Sequence, residues 1–502
     1  MPAAVDKMTA SGIRGSSLLD VTDQVPSDGQ LSLYEAVRVH GYSYLLESVE
    51  KSGNRARFSF LGAKPSLVVT VKNRYVTLEF EDESPDLIGF IGERLSQCCF
   101  GMEQSGRRLS CSIREGFDLF DALRCAIPCG KSRTIDFGRQ VFIGGGIGYL
   151  AYDLVLDLLG VRSTSSAPDA QFAVVENTFI FDHLTSRVYL ANTPILPEGK
   201  GWERRMDLIG DLSSSGSSSD PDDLDLEGDL FYAGLQEEFE DSVRVAKEHI
   251  LAGDIFQVVL ARTTKFRLKN PDPLALYRKL RAINPSPYTY ILEFGDISLI
   301  GASPETLFST YDRRLTVNPI AGTCPRGKTP LEDEMLAEKM LKDEKERAEH
   351  VMLVDLGRND VRRVSRSGTV VVEDFMSVLK YSHVQHIEST VRGILRDECD
   401  QFDAARATFP AGTLSGAPKL RAMEIINELE PAPRGIYGGG IGYFAFDGSA
   451  DFAITIRSVV MQNDCAIVEA GAGIVADSDP HNEYLETERK MAPMKKALGV
   501  KV

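Results

Sequence analysis

Cysteine is scarce in this chain, and its scarcity excludes one architecture at once: eight residues in 502 are too few for a disulfide framework and suit a reducing cytoplasm. Cys125 and Cys129 come nearest to a metal-ligand pair, but no second Cys or His pair accompanies them, which argues against zinc. None of the eight has the glycine-flanked setting of a glutaminase nucleophile. Long apolar runs are also missing. The best candidate, residues 141–161, is broken by glycines and by Asp153 and Asp157, so it reads as a strand followed by a helix and not as a membrane span. The opening residues, MPAAVDKMTASGIRG, lack the apolar core of a secretory signal. Positive charge is outweighed as well. Lys and Arg number 56 against 73 Asp and Glu, a formal net charge of −17, which argues against nucleic-acid and anionic-membrane partners.

What remains is a chain with 43% hydrophobic residues, enough for one very large core or two to three ordinary ones. Residues 31–41 scan as a short amphipathic helix, and 42–48, 58–61, 67–71 and 75–80 as strands. A Ser/Asp/Gly tract at 211–228 has nothing to bury and reads as a flexible acidic linker. It divides the chain into an N-terminal part, 1–210, and a second part, 229–502. In the second, Phe239, Val243, Ala246 and Ile250 share a helical face that Gly253 terminates, and a strand at 255–261 follows. The two parts resemble each other: YSYLLES (42–48) and YTYILEF (288–294), GAKPS (62–66) and GASPE (301–305), GGGIGYLAYD (144–153) and GGGIGYFAFD (438–447) recur in the same order. Where the second copy has Glu305 the first has Ser66, so chemistry is expected after the linker, with regulation or partner docking before it.

The densest chemistry lies in 342–360, KDEKERAEHVMLVDLGRND, which scans as a helix carrying Glu346 and Glu349 on one face. Glu483 and Glu486 repeat that spacing behind Asp479 and Pro480, an N-cap and first helical position. Such pairs either face water or, turned inward, need a cation between them, and a divalent metal is the natural one. Four small-residue stretches stand around them. Gly301 to Glu305 presents a carboxylate from a turn. Asn318 to Pro325 leaves Gly322 and Thr323 open to an anion, and Gly412 to Lys419 opens a helix at 420–429 whose N-terminus can hold an anion beside Lys419. Residues 451–473 read as a hairpin turning near Asn463, with Arg457 roughly opposite Glu469. There Arg457 either clamps a carboxylate against Gly471, Ala472 and Gly473 or pairs with Glu469. The glycines of 471–476 are not a dinucleotide fingerprint, because the next helix starts too late. His386 lies on a strand-like run.

Taken together, GDIFQVV, SPETL, PIAGT, EHVMLVDLGRND, GTLSGAPK, YGGGIGYF, IRS and GAG resemble the chorismate-utilising enzymes, and among them the anthranilate synthase component I family. The resemblance is densest from Gly253 onward and reaches back weakly to LLES at 45–48. It implies an α+β fold, a large two-sheet antiparallel β core with helices packed outside. It implies Mg²⁺ held by Glu346, Glu349, Glu483 and Glu486, with Glu349 and Glu486 as direct ligands, and chorismate carboxylates held by Gly322, Thr323, Tyr437, Arg457, Gly471, Ala472 and Gly473. Glu305 would be the general acid, Thr413 would add a hydroxyl, and His386 would take a proton as pyruvate leaves. The product would be anthranilate, from chorismate and ammonia supplied by a separate glutamine amidotransferase subunit in a hetero-oligomer. Relatives that activate water carry lysine where this chain has Gln257, and aminodeoxychorismate synthases carry lysine where it has Ala321. The alternatives are another ammonia-using chorismate enzyme, aminodeoxyisochorismate or aminodeoxychorismate synthase, or a non-catalytic chorismate-binding subunit. Finally, the resemblance implies feedback inhibition by tryptophan at Leu46, Glu47 and Ser48 together with Asn284, Pro285, Ser286, Pro287 and Tyr288, two segments that each adjoin a copy of the YSYLLES repeat.

Overall fold

The computed structural model describes residues 17–25, 29–38, 41–48, 57–129, 137–196, 228–381 and 384–500. The opening residues read for a secretory signal and the linker tract lie outside them, except Gly228, which starts the strand Gly228–Ala233. The strands that organise the site are β1 (Ser43–Glu47), β2 (Gly145–Leu150), β3 (Gln257–Leu268), β4 (Tyr288–Phe294), β5 (Ile297–Ser303), β6 (Ile320–Pro325), β7 (Val384–Ile394), β8 (Gly440–Ala445), β9 (Ala450–Ile454), β10 (Ser458–Gln462) and β11 (Cys465–Ile474). Three helices matter equally: α1 (Glu344–Arg362), α2 (Lys419–Leu429) and α3 (Pro480–Ala497). The Asp343 side chain caps α1 by accepting from the Lys345 and Glu346 amides. Asp479 caps α3 through the Asn482 amide, with Pro480 at the first position, as the spacing predicts.

Among the described residues the strands form two antiparallel sheets of twelve and thirteen, in keeping with the expected two-sheet α+β core. Each sheet has a repeat pair at its centre. In the first, β1 pairs with β4 so that Leu45 faces Ile291, its own counterpart in the repeat. In the second, β2 pairs with β8 so that Gly148 faces Gly442, again counterpart to counterpart. Outward from the first centre, one wing runs through Phe58–Gly62, Asn177–Asp182, Arg187–Asn192 and Ser17–Asp20, and the other through β5, β10, β11 and β3. The second sheet mirrors itself in the same way. The two parts of the chain are therefore related by a pseudo-two-fold axis through both sheets and contribute strands to each.

The physical reason for the GGGIG repeat is close approach. A Cβ on Gly148 would stand 1.9 Å from the Gln171 carbonyl oxygen, and one on Gly442 1.9 Å from that of Asp451, distances no side chain tolerates. Between the sheets lies a layer that includes Tyr44, Phe142, Tyr149, Tyr290 and Tyr443, apolar enough to hold the faces together. A further repeat escapes a reading of the sequence: DLFDALR (118–124) and DQFDAAR (400–406) form matching capped helices. They exchange ion pairs across the axis, Arg124 with Asp400 at 2.7 Å and Arg406 with Asp118 at 2.7 Å.

Candidate active site

Glu305 sits in the turn after β5, its backbone carbonyl accepting from the Ile454 amide at 3.0 Å. Thr413 Oγ1 donates to its Oε1 at 2.8 Å. Burial pushes the carboxyl up to about 8, against the pull of the Thr413 hydrogen bond and the Lys490 charge, so at neutral pH it holds a proton and can donate it. His386, on β7, stands opposite Thr323 of β6. Its Nδ1 is 2.8 Å from the Gly322 carbonyl oxygen and 3.1 Å from Thr323 Oγ1. A carbonyl only accepts, so Nδ1 carries the proton and Nε2 keeps its lone pair. Burial and the nearby Arg457 charge lower the His386 pKa against the pull of the Gly322 carbonyl, which leaves the ring neutral and fit to act as a base. Tyr381 ties the two groups together: its ring lies edge-on to His386 at 5.6 Å, and its hydroxyl donates to the Pro304 carbonyl beside Glu305.

Arg457 occupies a positive-φ position, 53°, where the chain crosses from β9 in the second sheet to β10 in the first. The expected hairpin over 451–473 is thus two elements: β9 belongs to the other sheet, and the hairpin is β10 with β11, turning at Asn463. Its register, Val459 on Val468, brings Ser458 level with Glu469. Arg457 pairs with no acid among the described residues and donates to the Lys490 carbonyl at 3.1 Å. Burial lowers its pKa, and an anion beside it would relieve that.

The glycines mark where the groups meet. A Cβ on Gly322 would be 3.1 Å from Glu346 Oε2, one on Gly471 3.1 Å from the Tyr437 hydroxyl, and one on Gly473 2.7 Å from Gln257 Nε2. Gln257 Nε2 in turn donates to Glu349 Oε1 at 3.0 Å, and Gln257 Oε1 is buried without a partner. Glu346, Glu349, Glu483 and Glu486 are all half-buried. Burial, then Glu349, then Asp343 push the Glu346 pKa up, and Glu486 on the opposite helix adds to it; the two acidic pairs therefore face each other. Among the described residues no three acid, His or Cys side chains converge on a ready-made metal cage. Sequence reasoning missed Lys490. One helical turn beyond Glu486, it bonds that carboxylate at 2.7 Å and the Gly471 carbonyl at 2.8 Å, but an acid followed four residues later by lysine usually marks a solvated helix face.

One expectation needs correction. Lys419 does not wait for an anion at the start of α2; it is 2.6 Å from Asp360 and 2.8 Å from the Pro410 carbonyl, an internal ion pair that fastens α2 to α1. The two segments expected to hold an inhibitor lie side by side, Glu47 across from Thr289. A cavity of about 480 Å³ between the sheets is lined by Leu46, Glu47, Ser48, Pro287 and Tyr288 but not by Asn284, Pro285 or Ser286. Asn284 instead caps the helix Pro273–Ile283. The Glu47 carboxylate is held by Arg281 at 2.8 Å and by Tyr277. Asp451 lines the cavity together with Asp374 and Glu388; it accepts from the Tyr288 hydroxyl at 3.0 Å and is raised by burial to about 7.

Glu305 yields a test by linkage. Its unfolded carboxyl titrates near 4.5 and its folded one near 8, so the stability its protonated form contributes is complete below 4.5 and lost as pH rises through 8. Glu305→Gln has no such loss. Its melting temperature relative to wild type should climb across that interval and level off above it; a difference independent of pH would contradict a protonated, buried Glu305.

Comparison with known proteins fits this geometry. The family model for a chorismate binding enzyme matches residues 104–496. An anthranilate synthase component 1 of Haloarcula marismortui is 47% identical over 91% of this chain and 86% of its own length. One of Thermococcus kodakarensis is 45% identical over 94% and 97%. The crystal structure of anthranilate synthase component I from Streptococcus pneumoniae superimposes with a TM-score of 0.71, at 35% identity over 89% of this chain and 93% of that one. The chain belongs to the chorismate binding enzyme family, among its anthranilate synthase component 1 members.

Proposed function

We propose that this protein is the large subunit of an anthranilate synthase, a lyase converting chorismate and ammonia to anthranilate and pyruvate in tryptophan biosynthesis. The observation that carries the reading is a protonated, half-buried Glu305 and a neutral His386 tied together through Tyr381, with Arg457 nearby and without an acidic partner among the described residues. Arg457, Tyr437 and the amides of Gly322, Thr323, Gly471, Ala472 and Gly473 hold the carboxylates of chorismate. Glu305 protonates the C4 hydroxyl, which leaves as water while ammonia adds at C2, and the Thr413 hydrogen bond aims the acid. His386 Nε2 then removes the C2 proton as the C3 enolpyruvyl ether departs as pyruvate and the ring becomes aromatic.

The four glutamates fit Mg²⁺. They are hard oxygen donors facing one another, and their mutual repulsion in a half-buried setting favours a cation. When bound, Mg²⁺ supplies charge that holds a substrate carboxylate. Gln257, and Ala321 in PIAGT, support ammonia as the nucleophile over water or a lysine adduct. With no cysteine in a glutaminase setting, the ammonia comes from a separate amidotransferase subunit, and eight free thiols suit a reducing cytoplasm. Purified protein given chorismate, ammonium and Mg²⁺ should form fluorescent anthranilate, with chelation abolishing the rate and glutamine failing to replace ammonium. Turnover unaffected by chelation would remove the glutamate site, and a non-aromatic product would favour aminodeoxyisochorismate synthase.

The N-terminal part supplies regulation in this reading. Tryptophan binds the 480 Å³ cavity between the sheets against Leu46, Ser48 and Pro287, with Asp451 one of the acids that could meet its ammonium group. The Tyr288 hydroxyl bonds Thr306 Oγ1 at 2.9 Å as well as Asp451, and Thr306 adjoins Glu305. A ligand preferring one arrangement of Tyr288 therefore biases the acid through its differential affinity. Ser48→Arg should raise the inhibitory tryptophan concentration about tenfold or more while preserving uninhibited turnover; unchanged sensitivity would dismiss the site.

A further inference from the structure

A second cavity, larger than that between the sheets at about 610 Å³, opens at Leu235, Ala432 and Pro433 and ends on Glu469. Its volume falls within the range of small-molecule sites, roughly 300–1,000 Å³. The inter-sheet cavity takes its first-sheet wall from β1, β4 and the Phe58–Gly62 strand. This one takes Ile297, Val460 and Ile467 from the opposite wing, through β5, β10 and β11. The duplicated frame thus carries a cavity on each wing. Tyr437, its hydroxyl packed over Gly471, stands between Glu469 and the catalytic groups.

Two polar groups without partners look into the cavity. The first is Glu469, 8% exposed. Thr263 Oγ1 donates to its Oε1 at 2.8 Å; among the described residues its carboxyl makes no other hydrogen bond and no ion pair, which leaves Oε2 open to the cavity. Burial, with Glu430 and Asp153 adding to it and Thr263 and Arg434 opposing, raises its pKa to about 8. At neutral pH Oε2 therefore keeps a proton and is a donor without an acceptor. The second is Lys265. It follows Thr263 by two residues, on the same face of β3, with its ammonium 5.6 Å from the centre of the exposed Tyr232 ring. It pairs with no acid among the described residues. Thr263 stands opposite Glu469 and Lys265 opposite Ile467, so Lys265 and Glu469 are diagonal neighbours across the strand pair, roughly 7–8 Å apart. Ile467 lies under the span between them.

We propose that this cavity binds a small aromatic carboxylate, its charge on Lys265 and a hydrogen-bond acceptor on the far side of its ring at Glu469 Oε2. The walls select that class. A wholly apolar molecule would leave both polar groups unmet, and an amine at the inner end would meet a donor where it needs an acceptor. A benzene ring bridges the span over Ile467, and the remaining wall, with Phe239, Leu429 and Ile436, is apolar enough to cover it. The Tyr232 ring beside Lys265 adds an aromatic contact at the mouth.

The probe is 4-hydroxybenzoate, titrated calorimetrically into the full chain. Lys265→Met and Glu469→Met should each weaken its binding about tenfold, while Glu469→Gln, whose amide still donates, should keep the wild-type affinity. Wild-type affinity should fall as pH rises through 8, where Glu469 loses the proton it donates, and Glu469→Gln should show no such fall. Ser48→Arg, in the other cavity, should change nothing, and a crystal of the complex should show the ring between Lys265 and Glu469. Absence of binding, density only in the inter-sheet cavity or beside Arg457, or wild-type affinity in both methionine variants would overturn the proposal. None of these measurements needs turnover, so the proposal stands or falls apart from the catalytic reading.

Discussion

The structure depends on the pairing of each central repeat strand with its own counterpart. Leu45 against Ile291 and Gly148 against Gly442 join the two parts of the chain inside both sheets, so neither part has a complete sheet alone. Every other feature inherits that constraint. The glycines of GGGIG are needed because the paired backbones leave no room for a Cβ, and the exchanged Arg–Asp pairs tie one helix of each part to its mate. Duplication also explains why the chemistry is one-sided. At the position of Glu305 the first copy has Ser66, whose hydroxyl donates to Glu176 at 2.5 Å, so that copy keeps the frame without an acid. The inter-sheet cavity lies beside the paired centre, and the Tyr288 hydroxyl that lines it bonds Thr306, the residue after Glu305.

Inside the second copy, low dielectric and unpaired charge do the chemical preparation. One environment raises a carboxyl and lowers an imidazole, because burial disfavours the charged form of each. Glu305 therefore holds its proton and His386 lacks one, the opposite states that the proposed acid and base would need at one pH. Arg457 is half-buried and pairs with no acid among the described residues, and the glutamate pairs face each other. Each arrangement is costly in the free protein and relieved by the charge of a bound partner, as expected of a site shaped for ligands and not for stability.

Much of this was legible in the sequence where the signal was local. The i, i+3 glutamates, the Asp479–Pro480 cap and the Gly-rich strands are written within a few residues, and the structure has them as read. Legibility ended where a contact joins distant segments. The sheet switch at Arg457 looks like ordinary strand alternation until its positive φ is seen. Glu47 looked free to bind a ligand because Arg281, its partner, lies 234 residues away, and Lys419 looked like an anion ligand because Asp360 is equally invisible from its neighbours. Lys490 was hidden by resembling a surface ion pair. The DLFDALR and DQFDAAR repeat, identical at five of seven positions, is shorter than the GGGIG repeat and carries no glycine run to mark it.

The central claim is a division of labour, with Glu305 serving the addition of ammonia and His386 the later loss of pyruvate. Mass analysis of products from His386→Ala and Glu305→Gln, each incubated with chorismate, ammonium and Mg²⁺, tests it most directly. The account predicts that His386→Ala releases a non-aromatic amine still carrying its enolpyruvyl group and that Glu305→Gln releases neither amine nor anthranilate. Anthranilate formed by either variant at the wild-type rate would contradict it.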